Sequence, residues 1–432
     1  MFYSRIGLAM ASLLLCAFTS AQGTDSTNFT NSTLSLRDAI ETTLKHNPQL
    51  TSFTFRKEAV AGELQTARLK PALRFSSELE NATGSGEFKD TQSAELTLAL
   101  SSVIELGNKR EARIGVATER QQQLAIQKEI TELDLLAEVT RRFIEVAEAQ
   151  EQMVLQKATL VLVNESTNAI KRRVEIGNTP DAELARAQAG QSRMAIELHK
   201  AESNFTAAKT KLVALWGETT PTFVSVSADL LHPREARPLN DLLMGVEQNP
   251  DIQFFASETR LRDAELRLAL SQRKADIDWN AGVRRLQATK DSALVVSVSV
   301  PLFSSHRTAG EIAIAQANQR ITENERDVAV LKLRAQLASL YQEHEAALFE
   351  VASLRKDVIP QLKKAVVGTR FAFDKGRYAY LELSSAQHEL LEAEVSLIKA
   401  AARAHQLRTE IERLSASTTI SRFPSLDSEI KP

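Results

Sequence analysis

One phrase occurs twice in this chain, and the repetition constrains the fold more than any other feature. Residues 174–188 read VEIGNTPDAELARAQ, and residues 373–387 read FDKGRYAYLELSSAQ. Gly177 answers Gly376, Leu184 answers Leu383, and Ala187-Gln188 answers Ala386-Gln387, each at a spacing of 199. Upstream, Ile40, Leu44, Asn47-Pro48 and Leu50 answer Leu242, Val246, Asn249-Pro250 and Ile252 at a spacing of 202. Self-similarity on this scale predicts a fold built from two equivalent units. Each unit opens with a short amphipathic helix that proline stops. A pair of extended segments follows, then a very long helical stretch, a glycine turn and a second long helix.

The helix after each glycine carries a coiled-coil seam. Steps of alternating 3 and 4 from Leu383 reach Ala386, Leu390, Ala393, Leu397, Ala400, Ala404, Leu407, Ile411 and Leu414. The same steps from Leu184 reach Ala187, Gln191, Met194, Leu198, Ala201, Phe205, Ala208, Leu212 and Leu215. Only Gln191 is polar, so the pattern predicts knobs-into-holes packing against a neighbouring helix. The partner helices, near 108–175 and 306–373, would each run about 100 Å at helical rise. A rod or tube uses that length; a lone compact domain does not. At the turns, Gly177 and Gly376 supply positive φ. Thr179 is expected as the next N-cap, with Pro180 at the first helical position and Asp181 and Glu183 facing the helix's positive end.

Four segments alternate apolar and polar with a period of two: 72–82, 93–103, 276–287 and 292–302. Leu73, Phe75 and Leu79 form one set, and Leu96, Leu98 and Leu100 the next. Ile277, Trp279, Ala281 and Val283 form the third, and Val296, Val298 and Val300 the fourth. Such alternation suits the lipid-facing and lumen-facing positions of a membrane barrel; two soluble hairpins on a helical core are the alternative. Four strands cannot close a barrel, since about eight is the practical minimum, so several chains would have to pool theirs. Three chains would supply twelve.

The first residues, MFYSRIGLAMASLLLCAFTSAQG, read as a secretory signal peptide over 1–21. Cys16, the only cysteine, lies within it behind a bulky Leu15, which argues against lipidation. The expected organisation continues with a linker over 22–34, a first repeat over 35–216, a proline-containing linker over 217–238 and a second repeat over 239–415. A Ser/Thr/Pro-rich tail over 416–432 is expected to be disordered. The 53 basic and 55 acidic residues nearly balance, so no nucleic-acid surface is implied. No apolar run reaches transmembrane-helix length.

The chain carries no G-x-S-x-G, Walker or H-E-x-x-H motif, and its seven histidines are scattered. Neither enzyme activity, cofactor nor metal-ligand set is expected.

Three further stretches carry a resemblance: ELGNKREARIGVA (105–117), VPLFSSHRTAGEIAIA (300–315) and GRYAYLELSSAQ (376–387). Their order within a duplicated frame resembles the TolC-type outer-membrane efflux proteins, nearest the heavy-metal branch of CzcC- and CusC-like factors of RND pumps. That resemblance implies a mainly α fold, a helical coiled-coil barrel with a four-stranded contribution to a trimeric transmembrane β-barrel. It implies a passive channel in the outer membrane with a long periplasmic portion, partnered by a periplasmic adaptor and an inner-membrane RND transporter. Gly177, Thr179, Pro180 and Asp181 on one tip would face the periplasmic mouth with Gly376, Arg377, Tyr378, Glu382 and Ser385 on the other. The pattern often has two acids after the second turn; here Glu382 stands alone and Ser385 takes the other place. A periplasmic adaptor or a structural coiled-coil protein of the envelope is the competing reading.

Overall fold

The computed structural model describes residues 33–415. The expected signal peptide with Cys16, the linker up to residue 32 and the tail 416–432 lie outside the described residues. In chain order the elements are β1 (Thr33–Ser35), α1 (Leu36–His46), α2 (Pro48–Ala67), β2 (Arg74–Glu80), β3 (Glu95–Ile104), α3 (Lys109–Glu175) and α4 (Asp181–Val213). Then come β4 (Ser225–Ser227), α5 (Leu239–Gly245), α6 (Pro250–Ser271), β5 (Ile277–Leu286), β6 (Asp291–Ser299), α7 (Ser304–Arg307), α8 (Ala309–Ser353), α9 (Ile359–Asp374) and α10 (Tyr380–Leu414). The protein is mainly α with a small β part. Among the described residues no helix is long and apolar enough to cross a membrane.

Two helices were not legible as such. Asn47-Pro48 and Asn249-Pro250 do more than stop a helix; they start α2 and α6, of 20 and 22 residues. In each case the asparagine side chain accepts a backbone N–H two residues on, at 2.8 Å, and proline sits at the first helical position. Proline has no N–H to satisfy there and its φ already suits the helix.

The first long helix, α3, runs 67 residues without interruption. Its counterpart breaks the expected stretch 306–373. A π-helical turn over Leu354–Val358 separates α8 from α9. Pro360 follows directly, and its ring would clash with the carbonyl four residues back in a regular helix. A widened turn relieves that clash, and α3 contains no proline to require one.

None of the twenty seam positions is exposed on α4, α10 or the short turn after α4. The polar one, Gln191, donates from Nε2 to Asn164 Oδ1 on α3 at 2.8 Å. The main core gathers Val139, Phe143 and Val146 of α3 with Phe205 and Leu212 of α4, and Leu397, Ala400 and Ala401 of α10. A parallel pair, β1 with β4, lies beside it and was not anticipated.

The four longer strands form one antiparallel sheet in the order β2-β3-β5-β6. They are somewhat shorter than the alternation suggests. Asn81 turns left-handed just after β2, and Pro301, which lacks an N–H, follows β6. The two repeats thus meet at the β3–β5 pairing, which spans Glu95↔Leu286 to Ile104↔Ile277.

Candidate functional site

Two surfaces carry functional chemistry, one at the sheet and one at the helical turns. In the sheet, Phe75 stands opposite Leu100, Leu100 opposite Ala281 and Ala281 opposite Val296. Leu98 likewise stands opposite Val283, and Val283 opposite Leu294. Directly opposed residues share a face, so the register merges four separate alternations into one apolar surface. Nothing among the described residues covers it: Phe75 is 69% and Leu294 76% exposed. The opposite face is polar. Arg284 there reaches Glu80 at 3.1 Å, Glu95 at 3.0 Å and the Thr97 hydroxyl at 3.0 Å. The outer edges of β2 and β6 have no partner strand among the described residues.

The sheet joins the long helices through the GNKR stretch. Gly107 and Asn108 both take left-handed φ, which turns β3 into α3. A Cβ on Gly107 would lie 2.8 Å from the Ser271 carbonyl, so glycine is required twice over. Lys109 is buried and pairs with Asp276 at 2.7 Å, and Asp276 also accepts the Leu106 N–H at 3.1 Å. The motif is therefore a bolt between the first repeat and the segment leading into β5.

At the far end of the long helices both glycines close Schellman turns. Gly177 and Asn178 donate to the Val174 and Arg173 carbonyls at 2.9 and 2.8 Å. Gly376 and Arg377 repeat this with Phe373 and Ala372 at 2.9 Å each. The expected cap is displaced by one residue. Helix α4 starts at Asp181 with extended Pro180 at the N-cap, so Thr179 is not the cap and Pro180 is not the first helical residue. Asp181 does lie in the first turn, as Glu382 does in α10.

The two tips pack on each other. Ile170 and Ala187 of the first hairpin form a buried cluster with Phe373, Tyr380 and Leu383 of the second. Arg173 lays its guanidinium over the Phe373 ring, 4.1 Å from the centroid, and lies 3.9 Å from Asp374. Burial pushes the Tyr380 hydroxyl above its ordinary pKa. Gly177, Pro180, Asp181, Gly376, Arg377, Tyr378, Glu382 and Ser385 are exposed around this cluster, and Thr179 is half-buried. Sequence reasoning missed Arg173, because RRVE reads as a solvated helix face. The repeat gave no signal for it, since Phe373 answers Val174 and Arg173 answers Ala372.

Residues 39–218 match the model of the family described as outer membrane efflux protein. Over those residues, under half of the chain, the sequence is similar to that family. The cobalt-zinc-cadmium resistance protein CzcC of Cupriavidus metallidurans is 25% identical over 386 residues, which cover 88% of this chain and 90% of CzcC. Among solved structures, a membrane protein from Pseudomonas aeruginosa is similar with a TM-score of 0.74 at 16% identity, covering 88% of this chain and 92% of that one. CusC, solved in work on its folding and transmembrane channel formation, gives 0.73 at 14% identity, covering 88% of this chain and 91% of CusC. The likeness to CzcC and to these folds runs through both repeats, while the family model matches the first. Its members are channels of the outer membrane rather than enzymes.

Proposed function

We propose that three copies of this chain assemble into the outer-membrane channel of a tripartite RND-type efflux system. Their twelve strands close one β-barrel in the outer membrane, and their long hairpins continue it as a periplasmic tube. The observation that carries this reading is the sheet: among the described residues, a continuous, uncovered apolar face ending in two unpaired edges. Such edges are untenable in lipid, where every backbone polar group needs a partner, and closure with neighbouring copies removes them. The similarity to CzcC supports heavy-metal cations as the cargo, passed outward without chemistry in this chain. A periplasmic adaptor would meet the exposed tips at Gly177–Asp181 and Gly376–Tyr378, with Glu382 and Ser385 at the aperture, and an inner-membrane RND transporter would do the driven work.

The test is the native mass of the full-length protein, extracted from outer membranes in mild detergent, with metal resistance measured in a strain lacking its own channel. A trimer that restores resistance together with its adaptor and transporter is expected. A stable monomer in detergent, or fractionation with the soluble periplasm, would overturn the reading.

A further inference from the structure

The segment between α4 and α5 crosses the helices as a strap, and side chains hold it by its backbone. Gln150 on α3 accepts the Val226 N–H at 2.9 Å and donates to the Val226 carbonyl at 3.2 Å. Arg355, in the π turn, donates to the Leu231 carbonyl at 3.3 Å. His405 on α10 donates from Nε2 to the Leu230 carbonyl at 3.1 Å. Leu230 itself is buried in the main core.

A second histidine lies beneath the same strap. His344 on α8 is 1% exposed and sits beside the Arg234 backbone, with neither ring nitrogen in a well-formed hydrogen bond. A buried polar ring left this way is uncommon and calls for an explanation. The charges facing it are mixed. Arg408 and His405 on α10 oppose a proton on His344, and Glu345 on its own helix favours one. Around His405, Arg408 opposes protonation, while Asp229 and the Leu230 carbonyl on the strap favour it.

We propose that residues 228–236 form a pH-sensitive clasp, seated on the α8–α10 pair while both imidazoles are neutral and released when they take up protons. Burial is the largest influence at both sites and holds each histidine below its ordinary value of 6.5. The sign follows. With the strap closed the rings resist protons, and with it open they titrate near the ordinary value. Closure is therefore fully supported above that value and weakens as pH falls from it towards the lowered ones. The opening constant grows by at most about tenfold for each pKa unit that closure imposes on a ring. The clasp needs no part of the channel reading, since both partners lie within one chain.

Hydrogen exchange of the full-length protein in detergent, followed by mass spectrometry at pH 7.5 and pH 5.0 and corrected for the intrinsic rate, tests this. Peptides covering 228–236 should lose protection at the lower pH while α3 keeps its own. His405→Gln retains a donor for the Leu230 carbonyl without titrating, so it should flatten part of the pH response. His344→Gln combined with it should flatten the rest. If the double variant does not fold, His405→Gln alone decides. Equal protection of the strap at both pH values in the natural protein would overturn the clasp, as would an unchanged pH response in His405→Gln.

Discussion

Asn47 and Asn249, 202 positions apart, do the same two jobs in the two repeats. Each starts a helix with its side-chain oxygen, and each donates from Nδ2 to the end of its own repeat's last helix. Asn47 reaches the Leu215 carbonyl at 2.6 Å, and Asn249 reaches Leu414 at 2.8 Å and Arg413 at 3.2 Å. One amide thereby caps a helix start and satisfies a helix end, so the beginning and end of each unit are tied together. Both side chains are buried, Asn249 completely.

Asn249→Ala is accordingly expected to lose more than an ordinary cap. The cap alone contributes about 1 kcal/mol, and leaving the Leu414 carbonyl unpaired in a buried site costs about 1–3 kcal/mol more. Chemical denaturation should show a lowered midpoint, and Asn249→Asp should be lowered as well, because a carboxylate keeps the capping oxygen but cannot donate to the Leu414 and Arg413 carbonyls. A midpoint within error of the natural protein's would refute the double role.

Asp276 offers a second stability test. Its partner Lys109 is 6% exposed in its side chain, so Asp276→Leu strands a buried ammonium. Removing one partner of a buried pair typically costs about 3–5 kcal/mol, whereas replacing both is often near neutral. Lys109→Met joined to Asp276→Leu should therefore recover most of the loss in a thermal melt. Failure of the double replacement to recover would mean that the Leu106 N–H bond to Asp276 is the part that matters.

The parts of the fold that were legible from sequence are those with a long, regular signal. The seam from Leu383 to Leu414 and the alternation through Leu96, Leu98 and Leu100 repeat over many residues, and duplication shows each twice. What escaped depends on single residues acting at a distance. Asn47 looked like a stop because its capping role shows only once Pro48 is placed in a helix. Pro360 fixes the π turn through one ring. The pairing of β1 with β4 joins three-residue strands 192 positions apart, too short for any period to reveal. At the tips, Gly177 and Gly376 could be read from the turn they require. The tie from Arg173 to Phe373 could not, because it depends on how two distant hairpins lie side by side.

That tie predicts a change at the tips. Arg173→Ala removes a cation–π contact of roughly 0.5–2 kcal/mol, while the apolar cluster around Ile170 and Tyr380 remains. Limited proteolysis should then cut faster near residues 176–180 and 375–379, with global stability little changed. Arg173→Lys should be intermediate, since an ammonium keeps the charge but not the planar stacking. Equal cleavage rates in all three proteins would assign the tip contact to the apolar cluster alone.

The last prediction concerns selectivity at the mouth. Glu382 is exposed in the first turn of α10, three residues before exposed Ser385, so both lie on one helical face beside the second tip. In a trimer, symmetry would set three copies of Glu382 around one axis, and a ring of carboxylates in a narrow passage favours cations. Glu382→Lys is expected to reduce cation preference in single-channel recordings, and Ser385→Asp to increase it by adding a second acidic level. A carboxylate in a first helical turn also steadies the helix by about 0.3–1 kcal/mol, and that role alone would leave permeation untouched. The two roles separate by comparing melts with currents. A lowered melting temperature with unchanged selectivity in Glu382→Lys, and no gain in Ser385→Asp, would confine Glu382 to starting the helix.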